Sequence, residues 1–500
     1  MKPLPRWLAV GAVALALAGC SDDDNPAGPG PEEPVAPTID RFTVTGNLPL
    51  DHGETTKLLW KAPNATNAVI TPGIGTVAPA SDGTFSIRPS QTTTYTLTVS
   101  NSVGTDVAEI TVEVRYPPGL YVNPTHGDDS NLGTSPPTAL KTLGAALTRV
   151  GGGTAIYLAG SANPAFGTYP DALIFDSQDV SVYGGRNPDT FFSDPIAITT
   201  IKPSSGVPLT VRNTTAKLQF FDLRFDAANG GSEAVRIQNA AAAFDNCTLD
   251  ARNSSGGAAL VMEGSANVDV NACRVYGGRD RPYLESAGVR ASSAGQLLIT
   301  NCFIDAGVGL DHASGIDARG IVHIGFNTIV SQVNATGLNR YAAGIRILDG
   351  HPAIGGNILV GQGTGQRVGI AETQGGSATN PSWFERNLFV GVTTPPYLNA
   401  DGESPTDEAE LSEWEHTTGD AGTVADNLWP GNVPTNVLFA SLPNRDYHLV
   451  HPLPGGAPNP AVNRGEVYLK KLEYGSVTRD FDDERRPTTA SQLDLGADEH

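Results

Sequence analysis

Charged residues are scarce, at 17% of 500. Long amphipathic helices draw on Glu, Lys and Leu, so a mainly helical fold is excluded. The 57 Gly, with many Asn, Ser and Thr, instead suit short strands and frequent turns. Basic residues are scarcer still: 32 Lys and Arg stand against 53 Asp and Glu, a net charge of -21. That balance excludes nucleic acid and anionic lipid headgroups as partners. It would also repel acidic polysaccharide unless cations or a local basic patch intervened. Past the N-terminus no run is long and apolar enough to span a bilayer. A phosphate-binding loop, nucleophile elbow, zinc motif and dinucleotide fingerprint are all missing. Cysteine is rare, with 4 in the chain. No His or Cys pair stands at ligand spacing near them, so no metal centre is expected.

What is present is a repeat. From Ala234 to Val390 one pattern recurs six times at 25–29 residues per turn. Each turn pairs a stretch like Ala-Val-Arg-Ile (234–237) with one like Phe-x-x-Cys-x-Leu (244–249). The first stretch aligns Val235, Leu260, Val289, Ile316, Ile345 and Ile370. The second aligns Cys247, Cys273, Cys302, Asn327, Asn357 and Asn387. A period in this range specifies a solenoid. In a parallel β-helix equivalent residues stack about 4.8 Å apart. The aliphatic column then lines the core, and Asn at a sharp turn passes amide hydrogen bonds from coil to coil. Cys247, Cys273 and Cys302 fill that slot as small apolar residues. Parallel side-chain vectors suit a disulfide poorly, so buried free thiols are expected.

The N-terminus carries a basic n-region (Lys2, Arg6) and a short apolar run (8–17), which read as a secretory signal. It closes on Leu17-Ala18-Gly19-Cys20, which resembles the bacterial lipobox. The resemblance implies acylation of Cys20 and a membrane anchored through it. Residues 20–37, acidic and rich in proline, read as an extended stalk of at most roughly 50 Å.

Residues 38–116 alternate apolar and polar positions between turns, as a β-sandwich does. The segment Thr92-Thr93-Thr94-Tyr95-Thr96-Leu97-Thr98-Val99, with Trp60, resembles bacterial immunoglobulin-like domains. Leu97 stands where an antibody domain carries a cysteine, so this core is expected without a disulfide. Such a domain serves as a spacer or binds sugar, and no exposed aromatic cluster marks the second role.

Tyr121-Val122-Asn123, the run 126–134 and Leu140-Lys141-Thr142-Leu143 resemble the opening segment of surface β-helix proteins of the pectin-lyase-like superfamily. The ending, Leu493-Asp494-Leu495-Gly496-Ala497-Asp498-Glu499, resembles their closing segment. A helix at about 138–150, with Leu140, Leu143, Leu147 and Val150 on one face, is the expected cap of the open core. Asp128 and Asp129 could ligate calcium or serve Asx turns. Coiling is expected to begin with 156–158 and 180–185 as one turn, then 196–202, 209–212 and 218–225 as the next. Residues 406–416 read as a short acidic helix.

Two groups of residues could carry chemistry. Beside the aliphatic column three successive rungs show Arg290, Asp317 and Arg346. Parallel β-helix lyases and hydrolases work on such an exposed strand face, and there these residues could neutralise a uronate and abstract a proton. A cross-strand charge ladder explains them equally simply. The loops also carry Arg279, Arg281, Tyr283, Asp311, His312, Arg340 and Tyr341. Arg and Tyr on a concave polar surface suit sugar recognition. Calcium is the one cofactor the resemblance admits, and neither its carboxylate cluster nor a pair of catalytic aspartates is apparent.

The reading is therefore all-β: a lipoprotein signal (1–19), an acylated linker (20–37), an immunoglobulin-like β-sandwich (38–116), a right-handed parallel β-helix of eight or nine coils (117–395) and a closing cap (396–500). The expected protein is a lipid-anchored component of the bacterial envelope, at the outer membrane and displayed on the cell surface, that recognises polysaccharide without catalysis. The alternatives are a polysaccharide lyase or glycoside hydrolase acting on the strand face, and a structural envelope protein.

Overall fold

The structure is a computed structural model. It describes residues 33–412 apart from 228–229, 280–282, 293, 334–339, 376–378, 394 and 403, and beyond these 427–429, 439–441, 446–449 and 459–461. The leader, Cys20 and most of the stalk lie outside the described residues, as does much of the closing segment. The chain divides into two compact units.

The first unit holds two antiparallel sheets. Arg41–Val44, Thr56–Lys61 and Asp82–Ile87 form one. Gly75–Thr76, Asn67–Thr71, Thr93–Ser100 and Thr105–Val112 form the other. Strand side chains alternate between faces. Leu58 and Trp60 on one sheet and Ile70, Leu97 and Val99 on the other are therefore fully buried, while Thr94, Thr96 and Thr98 take the opposite face. The Trp60 indole donates to Pro79 O at 3.2 Å, which satisfies its buried N–H.

The second unit is a parallel β-solenoid of three walls. The first wall is a 10-stranded sheet running from Leu120–Val122 and Ala155–Ala159 through Ser181–Arg186, Lys217–Phe221 and Ala241–Asp245 to Trp383–Glu385. The other two walls share a 17-stranded sheet. Thr168–Tyr169, Thr199–Ile201, Leu223–Asp226 and Thr248–Asp250 begin the second wall; Leu173–Asp176, Leu209–Arg212, Glu233–Gln238 and Ala258–Glu263 begin the third. One long strand, Phe303–Ala318, serves both.

The aliphatic column stacks as expected. Val235 pairs with Leu260, Leu260 with Val289, Val289 with Ile316, Ile316 with Ile345 and Ile345 with Ile370. All six are fully buried. Several details differ from the sequence reading. Each coil has three strands, not two, because a left-handed residue splits the Phe-x-x-Cys-x-Leu stretch. Asp222, Asn246, Asn301, Phe326 and Arg386 hold φ of 50–55° at that bend. Asn and Asp tolerate this region better than most residues. The strands at 155–159 and 181–186 are also successive rungs of one wall, not two sides of one turn.

A column of small residues runs beside the aliphatic one: Ala234, Ala259, Gly288, Gly315, Gly344 and Gly369. A Cβ on Gly315 would sit 2.1 Å from Ile329 Cγ2, and one on Gly369 2.1 Å from Phe389 Cδ1. The core narrows there, and glycine lets the third wall approach the inward residues of the second.

The polar ladder extends in both directions. Cys247 N donates to Cys273 Sγ at 3.3 Å, Cys273 N to Cys302 Sγ at 3.4 Å, and Cys302 N to Asn327 Oδ1 at 2.9 Å. Asn327 Nδ2 donates to Asn357 Oδ1 (3.1 Å), Asn357 Nδ2 to Asn387 Oδ1 (3.0 Å) and Asn387 Nδ2 to Asn427 Oδ1 (3.0 Å). The three cysteines are free and buried. Burial pushes the Cys247 and Cys273 thiols well above their ordinary pKa, so they remain protonated and unreactive.

Both ends of the core are covered. At the first end the helix is Leu143–Leu147, far shorter than 138–150. Leu140 cannot join it, because its backbone bridges the first strand: Leu140 N donates to Tyr121 O at 2.8 Å and its carbonyl accepts from Asn123 N at 2.7 Å. Leu143 and Ala146 still enter the core. Asp128 and Asp129 organise turns: Asp128 Oδ1 accepts from Ser130 N at 2.8 Å, and Asp129 Oδ1 accepts from Lys141 N and Thr142 N, each at 2.8 Å. At the other end Glu408–Ser412 is helical and seats Leu411 in the core, while 413–416 lie outside the described residues. Leu428 pairs with Leu388 and adds a partial rung.

Candidate functional site

The charged row beside the aliphatic column is in register: Arg290 opposes Asp317, and Asp317 opposes Arg346. It is not an exposed face. Asp317 is 4% exposed and Arg346 8%. Arg346 Nε donates to Asp317 Oδ1 at 2.8 Å and Nη2 donates to Oδ2 at 2.9 Å. Ser314 Oγ donates to Asp317 Oδ1 at 2.6 Å. Arg290 stands 4.0 Å from Oδ2, and its Nη2 reaches Glu285 O at 3.5 Å. Glu285 Oε2 in turn lies 3.5 Å from Arg346 Nη2. One guanidinium thus joins a buried carboxylate to a half-exposed one. Burial works to lower the Arg346 pKa, but hydrogen bonds and charge from Asp317, with the Glu285 charge, more than offset it and hold the group firmly cationic.

The loop candidates converge only in part. Glu285, His312 and Tyr341 are register partners on successive coils, beside Asp317 and Arg346. The His312 and Tyr341 rings lie 4.8 Å apart at 57°. Burial raises the Tyr341 phenol against the pull of Arg346, and the Asp317 and Glu285 charges add to the rise. His312 Nδ1 is shielded from solvent and has no hydrogen-bond partner. At the margin Arg340 Nε pairs with Asp311 Oδ1 at 3.0 Å, both partners well exposed. Arg279 is engaged elsewhere, on the second wall, where Nη2 holds Asp305 Oδ1 and Oδ2 at 3.1 and 2.9 Å. Arg281 lies outside the described residues, as does the Tyr283 side chain; Tyr283 opens the strand Tyr283–Arg290.

Two features escaped the sequence reading. Ser314 holds Asp317 from three residues upstream, the spacing at which Glu233 holds Arg236 in an earlier coil. Aligning the repeats at that offset would have exposed it. The outer face of the second wall carries an ion network. Lys202 Nζ reaches Asp226 Oδ2 at 3.0 Å, Arg224 Nη2 reaches Asp250 Oδ2 at 2.7 Å, and Arg252 Nε donates to Asp250 Oδ1 at 2.8 Å. Asp226, Asp250 and Asp305 share one register column with Tyr276, so the repeat does mark the acids; the basic partners Lys202 and Arg252 lie outside the strands, off that column.

Calcium would need several free oxygen ligands. The row offers one carboxylate, hydrogen-bonded at both oxygens and flanked by the guanidinium groups of Arg290 and Arg346, so it does not fit the ion. Among the described residues no group of three or more His, Cys, Asp or Glu is arranged to hold a metal. No family model matches the chain, and no curated protein matches it at significant similarity.

Proposed function

We propose that this protein is a bacterial envelope lipoprotein, anchored through Cys20, that displays a pectin-lyase-like β-helix on the cell surface and recognises glycans there without catalysis. Its first unit is an immunoglobulin-like spacer. The membrane through the acyl chains, and polysaccharide, are its partners. The observation that carries the non-catalytic reading is the bidentate grip of Arg346 on Asp317. Asp317 is 4% exposed and both its oxygens already accept hydrogen bonds, from a guanidinium and a serine hydroxyl, so a substrate proton has no open approach to it. The adjoining surface of Tyr341, His312, Glu285 and the Asp311–Arg340 pair offers rings and polar groups of both signs, the mixture that sugar hydroxyls need.

One observation favours a second reading, a polysaccharide lyase or glycoside hydrolase. Glu285 and Asp317 both meet Arg346, beside a histidine and a raised tyrosine. The discriminating experiment is a glycan array probed with the full chain in detergent. Retention of particular glycans, weakened by Tyr341→Ala and Arg340→Ala, is the expected result. No retention of any glycan would leave the structural-protein alternative.

A further inference from the structure

The outer face of the first wall carries a file of rings. Tyr121, Tyr157, Tyr183 and Phe221 stack with successive centroid separations of 4.9, 5.2 and 5.1 Å. Arg186, at the end of Ser181–Arg186, lies against this file. Its guanidinium carbon is 5.9 Å from the Tyr157 ring centroid and 6.0 Å from that of Tyr183. Its Nε is shut off from solvent and meets no acceptor. The side chain is only partly buried, and its terminal nitrogens are not among the enclosed atoms.

Among the described residues Arg186 has neither a counter-charge nor a side-chain hydrogen bond, whereas Arg149 and Arg367, also without a carboxylate partner, donate to backbone carbonyls. Arg224, Arg252, Arg279 and Arg346 each hydrogen-bond a carboxylate. Among the described residues none lies within 4.0 Å of Arg186, in a chain with 53 acidic residues. Asp194 is on the hairpin that bridges back to Arg186, but it is occupied, accepting from Asn187 Nδ2 at 3.0 Å and from Ile196 N at 3.1 Å. A partly buried cation without a partner has lost hydration with little return. The tyrosine rings offset part of that loss. A planar guanidinium presents a fork that matches a carboxylate in two hydrogen bonds.

We infer that Arg186, framed by Tyr157 and Tyr183, is a binding site for a carboxylate, and that the carboxylate is that of a uronate-bearing glycan. The glycan half of the statement rests on the proposed function; the carboxylate half does not. It also supplies the local basic spot that an acidic chain needs to hold an acidic sugar.

The test is calorimetric titration of the full chain with trigalacturonate and with the matching neutral trigalactoside at about 0.15 M salt, where long-range repulsion is largely screened. A parallel acetate titration follows the side-chain Nε–H resonance of Arg186. The expected result is binding of the acid, much weaker binding of the neutral sugar, and an acetate-dependent shift. Arg186→Ala should weaken trigalacturonate at least about tenfold. Arg186→Lys, which keeps the charge and loses the fork, should fall between and covers the case in which the alanine variant misfolds. Equal binding of trigalacturonate to wild type and both variants would overturn the inference and leave the glycan reading standing. An acetate shift without binding of either sugar would keep the carboxylate site and overturn the glycan half. No response to any of the three would overturn both.

Discussion

Arg346 and Asp317 sit on adjacent rungs of the third wall and meet through two parallel hydrogen bonds, 2.8 and 2.9 Å long, in a setting nearly closed to water. Removing one partner strands the other. Arg346→Met should therefore cost about 3–5 kcal/mol. The double variant Arg346→Met/Asp317→Leu should cost clearly less than the sum of the two single changes. Urea unfolding of the four proteins measures this as a double-mutant cycle.

Asn357 tests the ladder. Its amide donates to Asn387 Oδ1, Ile324 O and Gly355 O, and its Oδ1 accepts from the Asn327 amide and backbone. Asn357→Ala leaves several buried groups unpaired, so a loss of roughly 2–4 kcal/mol is expected. Asn357→Cys should cost less, because Cys302 already fills the same slot and its sulfur accepts the backbone N–H of Cys273. Denaturation midpoints of the two variants should rank in that order.

Acid stability follows from Asp250. Burial raises its pKa, but hydrogen bonds and charge from Arg252, with the Arg224 charge, outweigh it and hold the carboxyl below its ordinary value. A depressed carboxyl adds stability that is fully present above its unfolded pKa, about 3.9, and is lost as pH falls through the lower folded value. Wild type should thus weaken as pH drops below about 4. Arg252→Ala should be weaker at neutral pH and lose less over that acid window. Urea midpoints measured at neutral pH and down through the acid range check both statements.

Leu411 is one of the side chains through which the C-terminal segment covers the core. It is fully buried in the main core from the short helix Glu408–Ser412. Leu411→Ala should cost about 2–5 kcal/mol. The loss should appear first as faster amide exchange in the last coils, because solenoid repeats lean mainly on their neighbours.

Much of this architecture was legible in the sequence, because a solenoid writes its packing as a repeat. The column Val235 to Ile370 and the slot shared by Cys247 and Asn387 came directly from spacing. The bend that splits each second stretch did not, since its left-handed position is held by residues as different as Asp222, Asn246, Phe326 and Arg386. The cap helix was overdrawn because helical spacing cannot reveal that Leu140 is spent on a strand bridge. Period alone placed Arg290, Asp317 and Arg346 in one row. It could not show that Glu285 joins their pairing, nor that Asp317 and Arg346 lie buried.

Glycan, on this reading, is held at the surface beside Asp317, and Asp317 does no chemistry on it. The direct measurement is an assay for newly formed unsaturated or reducing sugar ends when the full chain is incubated with a panel of acidic and neutral polysaccharides, with Asp317→Asn in parallel. No release above background is expected from either protein. Release by wild type that disappears in a folded Asp317→Asn would contradict this reading.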